Sequence, residues 1–297
     1  MASSPQFPPQ TNDYREIQRQ KDAFQQEPFL SVSIVIPFYK DRHILARTLA
    51  SLVYQTYPSH LFEVIVSDDG SSEPVKETLE TFKEQLTLQY VRQEDLGLRV
   101  CAARNLGLQC AQGEVIISLD FDMICPPKFI AAHLAWFHVS DRVATIGPRK
   151  FIDAKDITIS DIRSNFARIA QLPSQSSISN YKKDIDGRIA QFANLYKHPL
   201  PAKLFHTCNV AYRRSHAQLI GGFDEAYDYH YGFEDVDFGH RLWLVGTFLV
   251  PEVAALAYHQ ENEVISWEER NRGGSVNVAR FFKKFPDTRQ KIWATRQ

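Results

Sequence analysis

Two hydrophobic periods alternate along the first half of the chain. Ser31-Val-Ser-Ile-Val-Ile-Pro37 is a β-branched run closed by proline, the pattern of a strand buried on both faces. Leu45, Leu49, Leu52 and Val53 then fall on one face of a predicted helix. Phe62 to Ser67 predicts a second buried strand, broken by Asp68-Asp69-Gly70-Ser71-Ser72. Pro74 stands at the first-turn position of another helix, where proline is tolerated. Leu88 to Val91 predicts a third strand, Val100 to Ala111 a helix, and Glu114 to Leu119 a fourth strand. This alternation implies an α/β fold with a mostly parallel sheet covered by helices on both faces. Right-handed crossovers gather the loops that leave the strands along one rim, where ligands of such sheets bind.

The second half is less regular. Residues 153–203 show no strand period and read as a variable segment over the site. Leu204 to Tyr212 predicts a strand and Glu234 to Val245 a helix, with Phe238, Leu242 and Val245 on one face. Thr247 to Tyr258 is strand-rich, and 266–285 is helical. Residues 1–28 are polar and rich in Gln and Pro, which predicts a disordered tail with at most one weak helix near Tyr14 to Phe24. The expected division is therefore a tail (1–28), a nucleotide-binding half (29–125), an acceptor and catalytic half (126–262), and a basic, aromatic extension (263–297).

Composition changes this picture only at the margins. A formal net charge of -1 argues against a nucleic-acid partner. No apolar run reaches the length of a membrane helix, roughly 18 residues. Met1 to Gln10 lacks the basic-then-apolar order of a secretion signal. Cys101, Cys110, Cys125 and Cys208 have no metal-type spacing and read as reduced residues, so a cytoplasmic location is expected. In the extension, basic residues interleave with Trp267, Phe281, Phe282, Phe285 and Trp293. That pattern fits either weak peripheral contact with an anionic membrane face or a helix packed on the core.

Five short segments carry candidate chemistry. Asp120-Phe121-Asp122 follows a strand, where residues two apart share a face and two carboxylates can converge on a hard cation. A solvated acidic turn is the plainer reading of such a pair. Asp68-Asp69-Gly70-Ser71 ends another strand and can accept from a nucleoside, or simply make a turn with a helix cap. Arg99, Arg104 and Asn105 open a helix, where cations can hold a pyrophosphate or form surface ion pairs. Tyr231-Gly-Phe-Glu-Asp-Val-Asp-Phe238 crowds carboxylates among aromatics, which suits a general base beside a sugar and equally suits helix capping. His259 gains interest only beside an acidic pair, because imidazole suits Mn²⁺ better than Mg²⁺.

In this order, from about Ser31 to Glu261, these segments resemble family 2 glycosyltransferases with the GT-A fold. The resemblance rests on Ser-Ile-Val-Ile-Pro-Phe-Tyr, Ile-Val-Ser-Asp-Asp-Gly-Ser, Ala-Arg-Asn-Leu-Gly and Gly-Glu-Val-Ile-Ile-Ser-Leu-Asp-Phe-Asp. The second half, with Gly-Gly-Phe-Asp-Glu, Tyr-Gly-Phe-Glu-Asp-Val-Asp-Phe-Gly-His-Arg-Leu and Ala-Tyr-His, is similar to the galactosyltransferase-type segment of chondroitin polymerases and β-1,4-galactosyltransferases. It departs from them in having Tyr231 and Phe233 where those enzymes usually carry tryptophan. The resemblance implies a Rossmann-like sheet plus a smaller mixed region on the acceptor side. It implies that Pro37, Tyr39 and Asp69 hold the nucleoside, that Arg104 sits near the diphosphate, and that Asp120 contacts the donor. Asp120, Asp122 and His259 would bind Mn²⁺ or Mg²⁺, Asp235 would be the base, and Glu234 a substrate contact. The implied activity is inverting transfer of a hexose or N-acetylhexosamine from a UDP-sugar to a glycan or other hydroxyl acceptor. A retaining N-acetylgalactosaminyl-type transferase and a catalytically silent nucleotide-sugar-binding module are the alternatives.

Overall fold

The first strand, β1 (Val32–Phe38), is buried at every position, because both faces of the sheet are covered. The structure, a computed structural model, describes residues 11–24, 29–72, 75–174, 186–260 and 267–289. The remaining strands are β2 (Phe62–Asp68), β3 (Leu88–Arg92), β4 (Val115–Leu119), β5 (Met123–Ile124), β6 (Val143–Ile146), β7 (Arg149–Ile152), β8 (Asn209–Arg213), β9 (Phe248–Pro251) and β10 (Ala257–Gln260). Seven of them form one sheet in the order β3-β2-β1-β4-β8-β6-β9, and β5-β10-β7 form a second, smaller one. In the large sheet β1 pairs in parallel with both β2 and β4, β2 with β3, and β6 with β9. Only β8 runs antiparallel to its neighbours. The expected mostly parallel sheet with a smaller mixed region is what the chain forms.

The helices are α1 (Arg15–Ala23), α2 (Arg42–Val53), α3 (Lys76–Glu80), α4 (Val100–Cys110), α5 (Phe129–Leu134), α6 (Ile159–Ser164), α7 (Phe166–Gln171), α8 (Ile189–Phe192), α9 (Arg214–Leu219), α10 (Glu234–Leu244) and α11 (Trp267–Lys284). Gly107 shows how closely α4 sits on the sheet: a Cβ there would come within 2.5 Å of Val35 Cγ1. On α10, Phe238 stacks on Phe223 with ring centroids 4.1 Å apart and tilts against Tyr212 at 4.9 Å. That aromatic cluster fixes the helix that carries Glu234 and Asp235. Among the described residues no helix is long and apolar enough to cross a membrane.

Three expectations need correction. The strand predicted from Leu204 begins only at Asn209, because Pro201–Leu204 forms a short 3₁₀ turn. The irregular segment contains the short helices α6 to α8, the first of them closed by a capping box between Thr158 and Asp161. The polar N-terminal segment is not a free tail over residues 11–24. Asn12 is buried, with Nδ2 donating to Leu195 O (3.1 Å) and Leu249 O (2.7 Å) and Oδ1 accepting from Leu249 N (2.9 Å). Leu249 lies on β9, the edge of the large sheet, so one amide side chain satisfies backbone groups that a neighbouring strand would otherwise pair. Tyr14 packs edge-on against Trp136, and Lys21 pairs with Glu252 at 2.6 Å. Residues 1–10 and 25–28, and with them Pro28, lie outside the described residues, as does Pro74.

Over residues 274–289 the C-terminal extension is likewise folded onto the body. Phe281 is fully buried against Phe233 and His240. Lys284 pairs with Asp224 at 2.7 Å and with Asp237 at 2.8 Å. These aromatic and basic groups have partners within the protein, which favours the packed helix over a membrane-facing one. Lys291, Trp293 and Arg296 lie outside the described residues.

Candidate active site

The rim begins where β1 and β2 end. Pro37 is buried, Tyr39 is half-buried, and Lys40 and Asp41 both adopt left-handed backbone (φ 58° and 51°). Two such non-glycine residues in a row are strained, and strain of this kind clusters at functional sites. The Lys40 amide donates to Ser71 Oγ at 2.8 Å, tying the two loops together. Asp68 is committed to structure, accepting from Ser71 N and from the Tyr90 hydroxyl, each at 2.7 Å. Asp69 accepts from Arg99 N at 2.8 Å and from Gln93 Nε2 at 2.5 Å. Burial raises the Asp69 pKa, and those two hydrogen bonds oppose the rise. Gly70 (φ 90°) lies so close to Asp95 that a Cβ would meet it at 2.4 Å. Asp95 in turn accepts from the Tyr39 hydroxyl at 3.2 Å. Pro37, Tyr39 and Asp69 therefore share one rim with Asp95, which the sequence did not mark.

The N-terminus of α4 differs from expectation. Its first amides are already satisfied: Cys101 N donates to Asp228 Oδ1 at 2.8 Å and Ala102 N to Asp228 Oδ2 at 3.2 Å. A carboxylate thus sits where a pyrophosphate was expected, as the helix dipole favours. Asn105 is structural too, bonding both the amide and the carbonyl of Phe223. Arg104 points instead into the site. Its guanidinium donates to Asp120 Oδ1 at 3.1 Å and to Glu234 Oε1 at 3.2 Å, joining the end of β4 to the start of α10. Burial disfavours its charge, but Asp120 and Glu234 outweigh burial and raise its pKa.

Asp122 and His259 meet across the small sheet. Met123 of β5 pairs with His259 of β10, and Asp122 Oδ2 lies 3.3 Å from His259 Nε2. Phe151, opposite His259 on parallel β7, tilts against its ring with centroids 4.8 Å apart. Arg149, two residues earlier on the same face, lies over the Phe151 ring at 5.1 Å and donates to Cys208 Sγ at 3.1 Å. Asp120, two residues before Asp122, instead accepts from Arg104 through Oδ1. Among the described residues no group of three or more His, Cys, Asp and Glu is arranged to hold a metal. The expected trio reduces to an Asp122–His259 pair, whose carboxylate and imidazole still suit a hard or borderline cation that keeps other ligands from phosphate and water.

The acidic run at α10 resolves into separate tasks. Asp228 caps α4. Asp237 is fully buried and bonds Arg241 (2.6 Å), Lys284 (2.8 Å) and the Tyr227 hydroxyl (3.3 Å). Glu234 is held by Arg104. Among the described residues Asp235 has neither a cation partner nor a helix to cap as Asp228 does; its one hydrogen bond is from Val236 N at 2.7 Å. Burial, then the neighbouring Glu234 carboxylate, push its pKa up to about 7, against the pull of Arg104, the Val236 amide and Arg149. Arg149 thus adds a positive charge near Asp235 that nothing in its sequence context signalled.

Residues 33–219 match the sequence model of the family described as glycosyl transferase family 2. The chain is 36% identical to a chondroitin synthase of Escherichia coli over 95% of its own length and 43% of the relative's. It is 33% identical to a hyaluronan synthase of Pasteurella multocida over 96% of its length and 31% of the relative's. It thus spans less than half of these relatives. Among solved structures it resembles a mannosyltransferase from Pyrobaculum calidifontis in complex with GDP-Man and Mn²⁺ (TM-score 0.60, 16% identity, 91% of this chain and 70% of that one). It also resembles S. aureus TarS 1-349 in complex with UDP-GlcNAc (TM-score 0.56, 18% identity, 85% and 67%). At these identities the structures establish the GT-A fold. With the family match covering most of the chain and its ordered motifs lying on one rim of that fold, this chain belongs to glycosyl transferase family 2.

Proposed function

We propose that the chain is an inverting glycosyltransferase that moves a hexose or N-acetylhexosamine from a UDP-sugar to a hydroxyl of a glycan or related acceptor. The observation that carries this reading is Asp235: a carboxylate at the start of α10, without a cation partner among the described residues, with its pKa raised to about 7. A base of that strength is half-ionised near neutral pH and matched to deprotonating a hydroxyl. In the proposed step Asp235 takes the acceptor's proton as its oxygen bonds to the anomeric carbon. The bond from that carbon to the UDP oxygen breaks on the opposite face, and UDP leaves with the electron pair. Arg104 holds Glu234 and Asp120 in place, so that Asp120 and Glu234 meet the donor and acceptor hydroxyls. The Tyr39, Asp69 and Asp95 rim takes the nucleoside.

A divalent cation, Mn²⁺ or Mg²⁺, would be held by Asp122 and His259 and would neutralise the leaving diphosphate as Lewis acid and template. The curated relatives' names and the UDP-GlcNAc and Mn²⁺ complexes of the structural neighbours support the choice of donor and ion. The test is Asp235→Asn, which preserves shape and removes the proton acceptor. Turnover should fall by roughly 10²–10⁴ while calorimetric binding of UDP with Mn²⁺ persists. Near wild-type turnover in this variant sinks the assignment of the base.

A further inference from the structure

The loop from Asp228 to the first turn of α10 is held in a shape that its own residues disfavour. Tyr229 (φ 68°), Gly232 (φ 83°) and Phe233 (φ 70°) all adopt left-handed backbone, which is costly for aromatic residues. A distant side chain supports it. Asn277 of α11 is fully buried, and its Nδ2 faces Tyr227 O (3.0 Å), His230 O (3.1 Å) and Gly232 O (2.8 Å). Two amide protons thus serve three loop carbonyls. Arg280 donates to Asn277 Oδ1 at 2.7 Å, which fixes the end of the amide that faces the loop. One turn along, Phe281 packs on Phe233 with ring centroids 5.6 Å apart. Outward, the loop presents Tyr229, 60% exposed, and Tyr231, 44% exposed. Leu98 stands beside them and accepts from Tyr229 N at 2.7 Å. Inward, the loop leads directly to Glu234 and Asp235.

We propose that this loop is the acceptor-binding element, with Tyr229 taking the apolar face of a pyranose ring, and that Asn277 is the positioning residue that sets its shape. The proposal rests on Asp235 as the base, because an acceptor lying on Tyr229 presents its hydroxyl to the start of α10. An amphipathic aromatic ring gives a sugar a large contact at small entropic cost. Backbone strain maintained by a buried clamp fits a binding role better than a connecting one.

The test compares three variants of the full chain. Asn277→Asp keeps the side chain's size but sets an acceptor against three carbonyls. Gly232→Ala alters only the loop backbone, since a Cβ there meets nothing within 4 Å. Tyr229→Ala removes the platform. Calorimetry reads binding of UDP with Mn²⁺, and UDP release is measured from a UDP-sugar panel with a chondroitin or hyaluronan oligosaccharide as acceptor probe. All three variants should bind UDP within about twofold of wild type. Tyr229→Ala should raise the acceptor KM about tenfold with little change in kcat, whereas Asn277→Asp and Gly232→Ala should also lower kcat about tenfold. Amide exchange at residues 229–234 should accelerate in Asn277→Asp. Wild-type acceptor kinetics in the variants, unchanged exchange, or UDP binding lost in step with turnover overturns the proposal. So does a wild-type enzyme whose UDP release the oligosaccharides fail to stimulate. A wild-type chain that neither binds UDP nor releases it from any donor overturns the proposed function itself.

Discussion

As the proposed base, Asp235 would couple both turnover and stability to pH, with opposite signs. Its ionised form accumulates as pH rises through about 7. The free-enzyme kcat/KM should therefore climb through that region and level above it, and Asp235→Asn should lose this limb of the profile. Stability runs the other way. The folded carboxyl keeps its proton between the ordinary value of 3.8 and about 7, while the unfolded one releases it. Folding stability then falls as pH rises across that window and is flat above it. Thermal melts at several pH values should show Asp235→Asn gaining on wild type from pH 4 to 7. A constant gap would mean that Asp235 does not titrate there. At the other carboxylate, Asp122→Ala should weaken binding of UDP with Mn²⁺ by about 10–100-fold, the scale on which metal-site residues act. Unchanged calorimetric affinity would remove Asp122 from the proposed metal site.

Elements meet in this protein through single side chains that bridge long stretches of sequence. Arg104 on α4 joins β4 to α10, and its neutral replacement Arg104→Met leaves Asp120 and Glu234 as uncompensated neighbours. Breaking such a buried pair should cost about 3 kcal/mol in denaturant unfolding, with a parallel loss of turnover. Asn12 joins the N-terminal segment to the edge strand β9. Asn12→Ala leaves backbone groups of Leu195 and Leu249 unpaired, at a cost of about 2 kcal/mol. A variant as stable as wild type would mean that the segment is only loosely attached. Neither bridge is visible in the local sequence, because asparagine and arginine carry no periodic signal and their partners lie far along the chain.

At the scale of the whole molecule, α11 belongs to the folded body that carries α10. Ending the chain at residue 265 would expose Phe233 and His240 and leave Asp224 and Asp237 without Lys284. The truncated protein should melt several degrees lower, since about 1 kcal/mol shifts the midpoint by roughly 2–4 °C in a chain of this size. A truncated form that melts and turns over like the full chain would show that the helix is dispensable.

The sequence by itself determined the layered fold, because β-branched runs and helical faces are local patterns that survive without knowledge of their partners. The same locality made the rim legible: strands predicted to end at Pro37, Ser67 and Leu119 announced where Tyr39, Asp69, Asp120 and Asp122 would lie. Order and resemblance alone suggested that His259 and the Glu234-Asp235 pair serve one site, which remains a proposal. The tertiary structure decided how the charges were distributed among them. It paired Asp120 with Arg104, spent Asp228 on the α4 amides, and buried Asp237 under Lys284. It set Asp95 beside Tyr39, Arg149 over Phe151 and Asn277 beneath the loop before α10, and it folded residues 11–24 onto the edge of the sheet. The physical reason is that hydrophobic periodicity is written within one element, whereas the partner of a buried charge or amide is chosen only when distant elements pack together.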